Sequence, residues 1–233
     1  MSKTVNYQDL GSVDYKKAWE YQEKLFNILL ENKSRQVKTT PESGPDAGYL
    51  LFCEHPHVYT LGKSGTEHNL LIDPAFLERI GADYYRIDRG GDITYHGPGQ
   101  IVGYPIFDLE AFGIGIRQYI FNIEEGIIRT LSEYGIETAR MPSASGVWID
   151  PGNPSSARKI CAIGVRASRH VTMHGFAFNV NTDLSYFSHI NPCGFTDKGV
   201  TSMEKELGAA MDVDEVRESL KRNLTSVFEM ELR

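Results

Sequence analysis

The order of strand-like and helix-like segments constrains the fold of this chain more than any other feature of its sequence. Short apolar runs bounded by glycine and proline, typical of strands, cluster at residues 49–107 and again at residues 147–180. Apolar residues at helical spacing flank or separate these clusters, at residues 12–32, 115–137 and 213–228. The chain lacks the regular strand-helix-strand rhythm of a parallel doubly wound sheet. It therefore predicts an α/β (α+β) fold in which helices cover a central mixed, largely antiparallel sheet.

Glycine, proline and apolar spacing set the expected bounds of the elements. Asp73 before Pro74 predicts the start of a short helix that ends at Gly81. Residues 34–48 are rich in Ser, Thr, Pro and Gly, and they predict a surface loop. We expect short strands at residues 49–53, 58–61, 83–88, 93–96, 101–107, 147–149, 159–165 and 171–180.

Length, apolar content and charge narrow the class of protein. The 233 residues, 41% of them hydrophobic, are enough for one large domain with a proper core, so we expect residues 1–233 to form a single domain. The apolar runs are too short to span a bilayer, and residues 1–6 lack the apolar segment of a signal peptide. We therefore expect a cytoplasmic protein with no membrane partner. The net charge of −7 argues against a nucleic-acid partner, because neutralising phosphates needs a positive field.

Residues 89–100 combine four glycines with an arginine, a histidine and a glutamine. Glycine has no side chain to hold a ligand away, so backbone N–H groups in such a segment can approach a bound molecule closely. The segment matches neither the phosphate-binding loop nor the dinucleotide-binding fingerprint. Its glycines are equally compatible with two tight hairpin turns around a short strand.

Cys193 is the cysteine best placed for reactivity. It lies between Pro192 and Gly194, which predict a turn, whereas Cys53 and Cys161 lie in apolar strand-like runs where a cysteine behaves as a small buried hydrophobe. The three cysteines have neither a close pair nor metal-ligand spacing, so we expect no disulfide framework and no zinc site. The alternative for Cys193 is an incidental surface thiol.

A thiol with a pKa of about 8.5 needs a cation nearby to be a good nucleophile at neutral pH. The candidates are Lys159 and the histidines at positions 96, 170, 174 and 189. Lys159 stands out among them, because it opens an apolar strand that ends at Gly164. The alternative is a strand-end lysine in water. His170 and His174 have the four-residue spacing of metal ligands on a helix, but their apolar context predicts a strand, on which they would lie about 13 Å apart. We therefore expect no metal.

Four motifs, in order along the chain, resemble those of one known family. They are the segment at residues 89–100, the lysine strand at residues 159–164, the His-Gly-Phe-Ala-x-Asn run at residues 174–179, and the Pro-Cys-Gly turn around Cys193. The chain resembles the octanoyl-acyl-carrier-protein:protein octanoyltransferases of lipoate biosynthesis, also called lipoyl(octanoyl) transferases. The resemblance covers most of the chain from about residue 54 to residue 200.

The resemblance implies a fold similar to that of the biotin and lipoate protein ligases, with a tunnel for an acyl chain in the sheet. It implies that Cys193 forms the acyl thioester and that Lys159 lowers the pKa of its thiol. Small residues suit the walls of a tunnel for a slender alkyl chain. The residues implied to bind the acyl group are Arg89, Gly90, Gly91, Asp92, Ile93, Thr94, Tyr95, His96, Ala162, Ile163, Gly164, Gly175, Phe176 and Ala177.

The activity implied is transfer of an octanoyl group from octanoyl acyl carrier protein to a lysine of another protein. The acceptors implied are lipoyl domains of 2-oxoacid dehydrogenase E2 subunits and the glycine cleavage H protein. Thioester exchange is nearly isoenergetic, so neither ATP nor a cofactor or metal is expected. His96 is expected to orient the acyl carbonyl. Acyl carrier proteins of this pathway are acidic, so we expect a local basic docking cluster at Arg158, Arg166, Arg169 and Lys198.

Two rival functions remain open. An ATP-dependent lipoate or biotin ligase of the same fold needs no cysteine, so Cys193 and Lys159 argue against it. A non-catalytic acyl-binding protein would leave both residues without a role. Residues 34–48 and 150–157 are longer than is usual in the family. We expect these two segments to reshape the rim where protein substrates dock.

Overall fold

Two β-sheets organise the computed structural model, which describes residues 3–36, 47–142, 144–191 and 199–233. The described strands are β1 (Lys3–Ser12), β2 (Gly48–Glu54), β3 (Val58–Leu61), β4 (Asp83–Arg86), β5 (Ile93–His96), β6 (Gln100–Phe107), β7 (Ala139–Met141), β8 (Ala144–Ile149), β9 (Arg158–Ser168), β10 (Val171–Asn179), β11 (Gly199–Val200) and β12 (Met230–Leu232).

The large sheet is mixed, as expected. Its strand order is β12-β1-β2-β6-β10-β9-β8-β7, with β11 beside β9. All pairs from β2 to β7 along this order are antiparallel, whereas β12-β1, β1-β2 and β11-β9 are parallel. The small sheet has the order β4-β3-β5. The prediction of a mixed, largely antiparallel sheet with flanking helices is therefore confirmed.

Helices cover both faces of the large sheet. Helix α1 packs its apolar face on β6 and β10 through Leu25, Phe26 and Leu29. Helices α4 and α6 pack together on the opposite face of the sheet. This arrangement follows from the apolar spacing of each helix, since only one stripe of a surface helix is apolar. The described helices are α1 (Tyr15–Gln36), α2 (Pro74–Arg79), α3 (Leu109–Phe112), α4 (Ile116–Glu133), α5 (Met203–Leu207) and α6 (Val213–Phe228).

Side-chain caps set several helix starts. The carboxylate of Asp73 accepts a hydrogen bond of 2.8 Å from the backbone of Phe76 and so begins α2. The carboxylate of Asp212 accepts from the backbone N–H groups of Asp214 and Glu215 and so begins α6. In the part of the chain that is described, no helix is long and apolar enough to cross a membrane.

Three predicted elements, β3, β5 and α6, have the bounds that the sequence predicts. The helix predicted at residues 12–32 begins later, at Tyr15, because residues 3–12 form β1. The sequence did not predict this strand, because residues 3–12 lack clear apolar alternation. In the structure, Val5 is the only fully buried residue of β1. Residues 34–36 of the predicted loop belong to α1, and residues 37–46 lie outside the described residues.

The packing of Phe176 on Gly103 gives a test of this arrangement. A Cβ atom on Gly103 would lie 2.1 Å from Cζ of Phe176, so Gly103→Ala must displace the ring. We expect this change to lower the free energy of unfolding by about 1–3 kcal/mol. Gly152→Ala is the matched control, because a Cβ there meets no atom within 4 Å, and its effect should stay within about 0.5 kcal/mol. Denaturant unfolding measures both, and equal effects would contradict the close packing.

Candidate active site

A cavity of about 130 Å³ lies between the two sheets. The centre of the large sheet is on one side of it, and β5 with its preceding loop is on the other. Strands β6, β9 and β10 supply one wall, and the segment at residues 89–96 supplies the other. The structure thus brings together most of the residues singled out from the sequence. Those that line the cavity are Arg89, Gly91, Asp92, Ile93, Thr94, His96, Lys159, Ala162, Ile163, Gly164, Gly175, Phe176 and Ala177.

Small residues on two neighbouring strands make room for the cavity. Ala162 lies opposite Ala177, and Gly164 lies opposite Gly175, in the antiparallel register of β9 and β10. Directly opposed residues share a face, and alternate residues along a strand face opposite sides. The intervening pair, Ile163 and Phe176, packs into the core on the other face of the sheet. Alanine and glycine therefore form much of the sheet surface under the cavity, which Ile163 and Phe176 also line.

The loop before β5 is held against β9 by backbone contacts. The N–H of Gly90 donates to the carbonyl of Val165 at 2.9 Å. A Cβ on Gly164 would lie 2.9 Å from the carbonyl oxygen of Gly90 and 3.0 Å from Cδ of Arg89, so only a residue without a side chain allows this approach. Gly90 was predicted to bind the acyl group, but it does not line the cavity. It holds the loop in place through its backbone.

Tyr95 is the second predicted residue that does not line the cavity. Its ring is fully buried on the far side of β5, where it stacks on Tyr186 at 4.9 Å between centroids. Its hydroxyl group lies 2.7 Å from Nδ1 of His57. Thr94 and His96 flank it on the strand and line the cavity, so strand alternation is the physical reason for the difference.

Lys159 lies at one end of the cavity. Its Nζ lies 4.6 Å from the centroid of the Trp148 ring, a cation–π distance, and Trp148 also lines the cavity. The backbone carbonyl of Lys159 accepts a hydrogen bond of 3.0 Å from Thr201. The parallel pairing of β11 with β9 sets Val200 opposite Lys159. A lysine on a central strand is thereby held against an aromatic ring at the cavity wall.

Cys193 and Lys198 fall in residues 192–198, which lie outside the described residues. The flanking residues are described on both sides. The N–H of Asn191 donates to the carbonyl of Asn69 at 2.8 Å, and Gly199 pairs with Arg158. Gly199 also lines the cavity. The chain that follows Cys193 therefore re-enters the described structure next to Lys159.

The two described cysteines lie in the core. Cys53 is 1% exposed and Cys161 is not exposed at all. Burial raises the pKa of both thiols well above the usual range, because the thiolate is desolvated. Neither is suited to be a nucleophile at neutral pH, in line with their expected role as buried hydrophobes.

Two neutral histidines support the polar wall of the cavity. His96 donates from Nδ1 to Oε1 of Gln100 at 2.9 Å, and burial lowers the pKa of His96 to about 3. His55 donates from Nδ1 to the carbonyl of Val13 at 2.7 Å and accepts at Nε2 from the hydroxyl of Tyr104 at 2.6 Å. Burial lowers the pKa of His55 to about 4. Both rings are uncharged at neutral pH and act as fixed hydrogen-bonding groups.

Several lining residues were not expected from the sequence. His174 was weighed as a partner of the thiol and as a metal ligand and was not among the residues expected to bind the acyl group, yet it lines the cavity, while His170 is exposed near Glu110. Among the described residues, no cluster of three or more His, Cys, Asp or Glu side chains is arranged to hold a metal ion. The motifs at residues 174–179 and 89–100 were the available signals for His174, Asn179 and Gln100. The other lining residues come from segments that no motif marked: Tyr15, Val102, Tyr104, Trp148, Phe187, Gly199 and Val200.

Two members of the predicted basic docking cluster, Arg158 and Arg166, are paired with carboxylates in the structure. Arg158 pairs with Glu206 at 2.5 Å and with Asp150 at 3.0 Å, and Arg166 pairs with Asp88. Carboxylates neutralise both guanidinium groups locally, so they add little positive field for an acidic partner. Sequence alone gave no sign of these pairs, because Glu206 lies 48 residues from Arg158 and Asp88 lies 78 residues from Arg166.

The chain is similar to proteins of one family over nearly its whole length. Residues 14–225 match the lipoyl protein ligase A/B catalytic domain. An octanoyltransferase of Flavobacterium johnsoniae is 55% identical over 233 residues, which cover all of both chains. An octanoyltransferase of Cytophaga hutchinsonii is 53% identical over 233 residues, which cover 99% of this chain and 95% of the relative.

Solved structures with low sequence identity have the same fold. A bipartite lipoate protein ligase from Thermoplasma acidophilum aligns with a TM-score of 0.68 at 16% identity, covering 100% of this chain and 86% of that chain. A biotin protein ligase from Aquifex aeolicus in complex with biotin and ATP aligns with a TM-score of 0.54 at 13% identity. The alignment covers 96% of this chain and 70% of that chain. The expected fold of the biotin and lipoate protein ligases is therefore confirmed.

The burial of Cys53 and Cys161 gives a test by chemical labelling. Iodoacetamide reacts with thiolates, and burial both raises the pKa of these thiols and blocks access to them. We expect neither residue to be modified in the native protein at pH 8, and both to react in denaturant. Peptide mass mapping measures the two conditions. Rapid native labelling of either residue would contradict its position in the core.

Proposed function

The chain belongs to the octanoyltransferases of the lipoyl protein ligase A/B catalytic domain family, and on that premise we propose a route for its acyl group. This acyltransferase takes an octanoyl group from octanoyl acyl carrier protein, holds it as a thioester on Cys193, and passes it to a lysine of a lipoyl domain. The observation that carries the proposal is the position of Lys159, at the end of a cavity floored by alanine and glycine.

The alkyl chain of the octanoyl group lies along β9 and β10 in this proposal. The alanine and glycine pairs leave a shallow trough in the sheet, and Val102 and Ile93 add apolar surface to it. Burial of methylene groups there stabilises the complex by about 0.8 kcal/mol for each buried CH₂. The loop at residues 89–92 encloses the chain from the other side. A chain held in this way has its carbonyl end near Lys159.

The first half-reaction forms the acyl-enzyme. The Cys193 thiolate attacks the carbonyl carbon of the carrier thioester and forms a new C–S bond, while the C–S bond to the carrier breaks. The carrier leaves as a thiolate, which takes a proton from the Lys159 ammonium and leaves Lys159 neutral. The ammonium of Lys159 stabilises the attacking thiolate by its charge. The pairing of Val200 with Lys159 supports this role, because the segment that contains Cys193 ends beside that lysine.

The second half-reaction releases the product. The amine of a lipoyl-domain lysine attacks the acyl-enzyme, the C–S bond breaks, and an amide forms while the Cys193 thiolate leaves. In its neutral form, Lys159 accepts the proton that the amine loses, so it serves as general base. The product is N-octanoyl-lysine, and the enzyme regains its starting state, the Cys193 thiolate beside the Lys159 ammonium. No ATP enters either step, because a thioester already carries the activated acyl group.

His96 takes a different role from the one expected. Its Nδ1–H donates to Gln100, and Nε2 lies 3.5 Å from Oγ1 of Thr60, so both ring nitrogens face protein groups. The proposal therefore assigns His96 to the wall of the cavity and not to the acyl carbonyl. Gln100 in turn donates to Asn179, which ties the start of β6 to the end of β10.

The proposal treats residues 1–233 as one domain that acts in the cytoplasm. The family match begins at residue 14 and ends at residue 225. Strands β1 and β12 lie outside the matched range, and they pair with each other at the margin of the large sheet. Both ends thus extend the same sheet. The proposed acceptors are lipoyl domains of 2-oxoacid dehydrogenase E2 subunits and the glycine cleavage H protein. We propose no metal and no cofactor.

The assignment of the nucleophile is tested by intact mass. We expect the wild-type chain to gain the mass of one octanoyl group after incubation with octanoyl acyl carrier protein without ATP. Cys193→Ser should gain none, because a hydroxyl group has no low-pKa anion comparable to a thiolate. Cys53→Ser is the matched control and should be acylated like the wild type. Acylation of Cys193→Ser would contradict the assignment, and a strict need for ATP would favour the ligase alternative.

The two roles of Lys159 are separated by two substitutions. Lys159→Arg keeps a positive charge that does not deprotonate, so it should form the acyl-enzyme slowly and then stall before transfer to the acceptor. Lys159→Ala should impair both half-reactions. Single-turnover kinetics measure each half-reaction, and thiol alkylation against pH measures the titration of Cys193. The role of Lys159 in tuning the thiol is ruled out if wild type and Lys159→Ala share one titration curve.

A further inference from the structure

Lys159 lies at the cavity because the pairing of β8 with β9 is irregular. Val147 pairs with Cys161. The next pair joins Trp148 to Lys159, so Ile160 is an extra residue on β9. In a regular strand, alternate residues face the same side, which would place Lys159 on the core side with Cys161. Instead, Ile160 and Cys161 are both buried in the core, and Lys159 lines the cavity. The irregularity is a β-bulge that re-aims the lysine.

The same bulge brings Trp148 and Lys159 to one face of the sheet. Directly opposed residues share a face, and here Nζ of Lys159 lies 4.6 Å from the centroid of the indole ring. This distance is within the range of a cation–π interaction. A Cβ atom on Gly146 would lie 3.6 Å from Cδ of Lys159, so the glycine leaves room beside the stem of the lysine. The lysine side chain therefore lies against β8, between a glycine and a tryptophan.

The indole ring is itself fixed by buried contacts. Trp148 is 2% exposed, and its Nε1–H donates to the carbonyl of Ala144 at 3.3 Å. The ring packs with Met141 and Ala157. Rotation of the ring away from this position would leave a buried N–H group unpaired, at a cost in free energy. The ring therefore gives the ammonium of Lys159 a fixed surface.

Backbone contacts alone do not fix the position of Nζ. The carbonyl of Lys159 accepts a hydrogen bond from Thr201, and the residue pairs with Trp148 on the other side. These contacts hold Cα, but a lysine carries its charge at the end of a flexible four-carbon stem. Holding such a side chain in one geometry costs conformational entropy. Side-chain contacts, including the one with the indole ring, must offset this cost.

We propose that Trp148 is a positioning residue, whose ring holds the ammonium of Lys159 in the place from which it stabilises the thiolate of Cys193. The ring acts through the lysine and takes no part in making or breaking bonds. Cation–π attraction favours the charged form of the amine, which is the form that stabilises a thiolate. The inference rests on the proposed function in taking Lys159 to act on Cys193.

A purely structural role of Trp148 in packing is the competing explanation. Under that explanation, loss of the ring changes Cys193 to the same extent with or without Lys159. A ring that acts through the lysine gives a different result, because its loss has no further effect once the lysine is absent. A double-mutant cycle of Trp148 and Lys159 therefore separates the two explanations.

The measurement is the rate of Cys193 alkylation by iodoacetamide at pH 7, on the native full chain, followed by peptide mass mapping. We expect Trp148→Leu to lower this rate by roughly tenfold, because the ammonium is no longer held in place. Phenylalanine attracts cations less strongly than tryptophan, so Trp148→Phe should lower the rate by only roughly threefold. In the Lys159→Ala background, either change should alter the rate by less than about twofold.

Trp148→Phe keeps most of the buried ring, so the cycle can be completed with it if Trp148→Leu does not fold. Trp19→Leu is the matched control. Trp19 is the second of the two tryptophans in the chain, packs within α1, and is not among the described residues that line the cavity. Its loss should lower the midpoint of denaturant unfolding, as the loss of Trp148 does. The alkylation rate of Trp19→Leu should stay within about twofold of the wild type.

Two outcomes overturn the inference: an alkylation rate that is unchanged in both Trp148 variants, or an equal fall in rate with and without Lys159. Alkylation needs no octanoyl transfer, which intact mass measures separately. A chain in which Trp148 and Lys159 are coupled, but which transfers no octanoyl group, would refute the proposed function and leave the role of Trp148 intact. Normal octanoyl transfer without this coupling would do the opposite.

Discussion

The backbone contact between the loop before β5 and strand β9 is the interaction on which the cavity depends. The 2.9 Å hydrogen bond from Gly90 to Val165, together with the pairing of Asp88 with Arg166, holds the loop of the small sheet against the large sheet. At this point Gly164 has no side chain to hold the loop away. Ala162 of β9 and the opposing Ala177 of β10 have small side chains that leave room for the cavity above the sheet. The contacts of the loop with β9 and the small residues of the sheet surface thus leave room for the cavity between the two sheets.

The two ends of that space differ in chemistry because different elements reach them. Lys159 sits where β11 joins β9, beside the ring of Trp148. The opposite end is built from Arg89 and His174, which are fixed by the small sheet and by Asp88. Strands β9 and β10 hold these ends at a fixed separation, because a hydrogen-bonded ladder resists changes in length. The thioester chemistry proposed at the Lys159 end is therefore separated along the sheet from the polar groups at the other end.

Local pattern predicted much of the fold, and long-range contacts account for what it missed. Strands β3 and β5 and helix α6 have their predicted bounds because apolar spacing and turn residues mark them directly. Strand β1 has only Val5 fully buried and pairs in parallel with distant strands, so nothing local marks it. In the site, the glycine-rich segment was recognised from its own composition. Tyr104 and Trp148 were not, because only tertiary packing brings them to the cavity.

The neutral histidines link the cavity to the stability of the fold. Burial lowers the pKa of His96 to about 3 and that of His55 to about 4, whereas a histidine in the unfolded chain has a pKa of about 6.5. Between these values the unfolded state binds more protons than the folded state, so folding is weakened as pH falls below about 6.5. Above that pH neither ring changes charge. In the proposed mechanism, a pH dependence of acyl transfer in the neutral and alkaline range therefore does not arise at these two histidines.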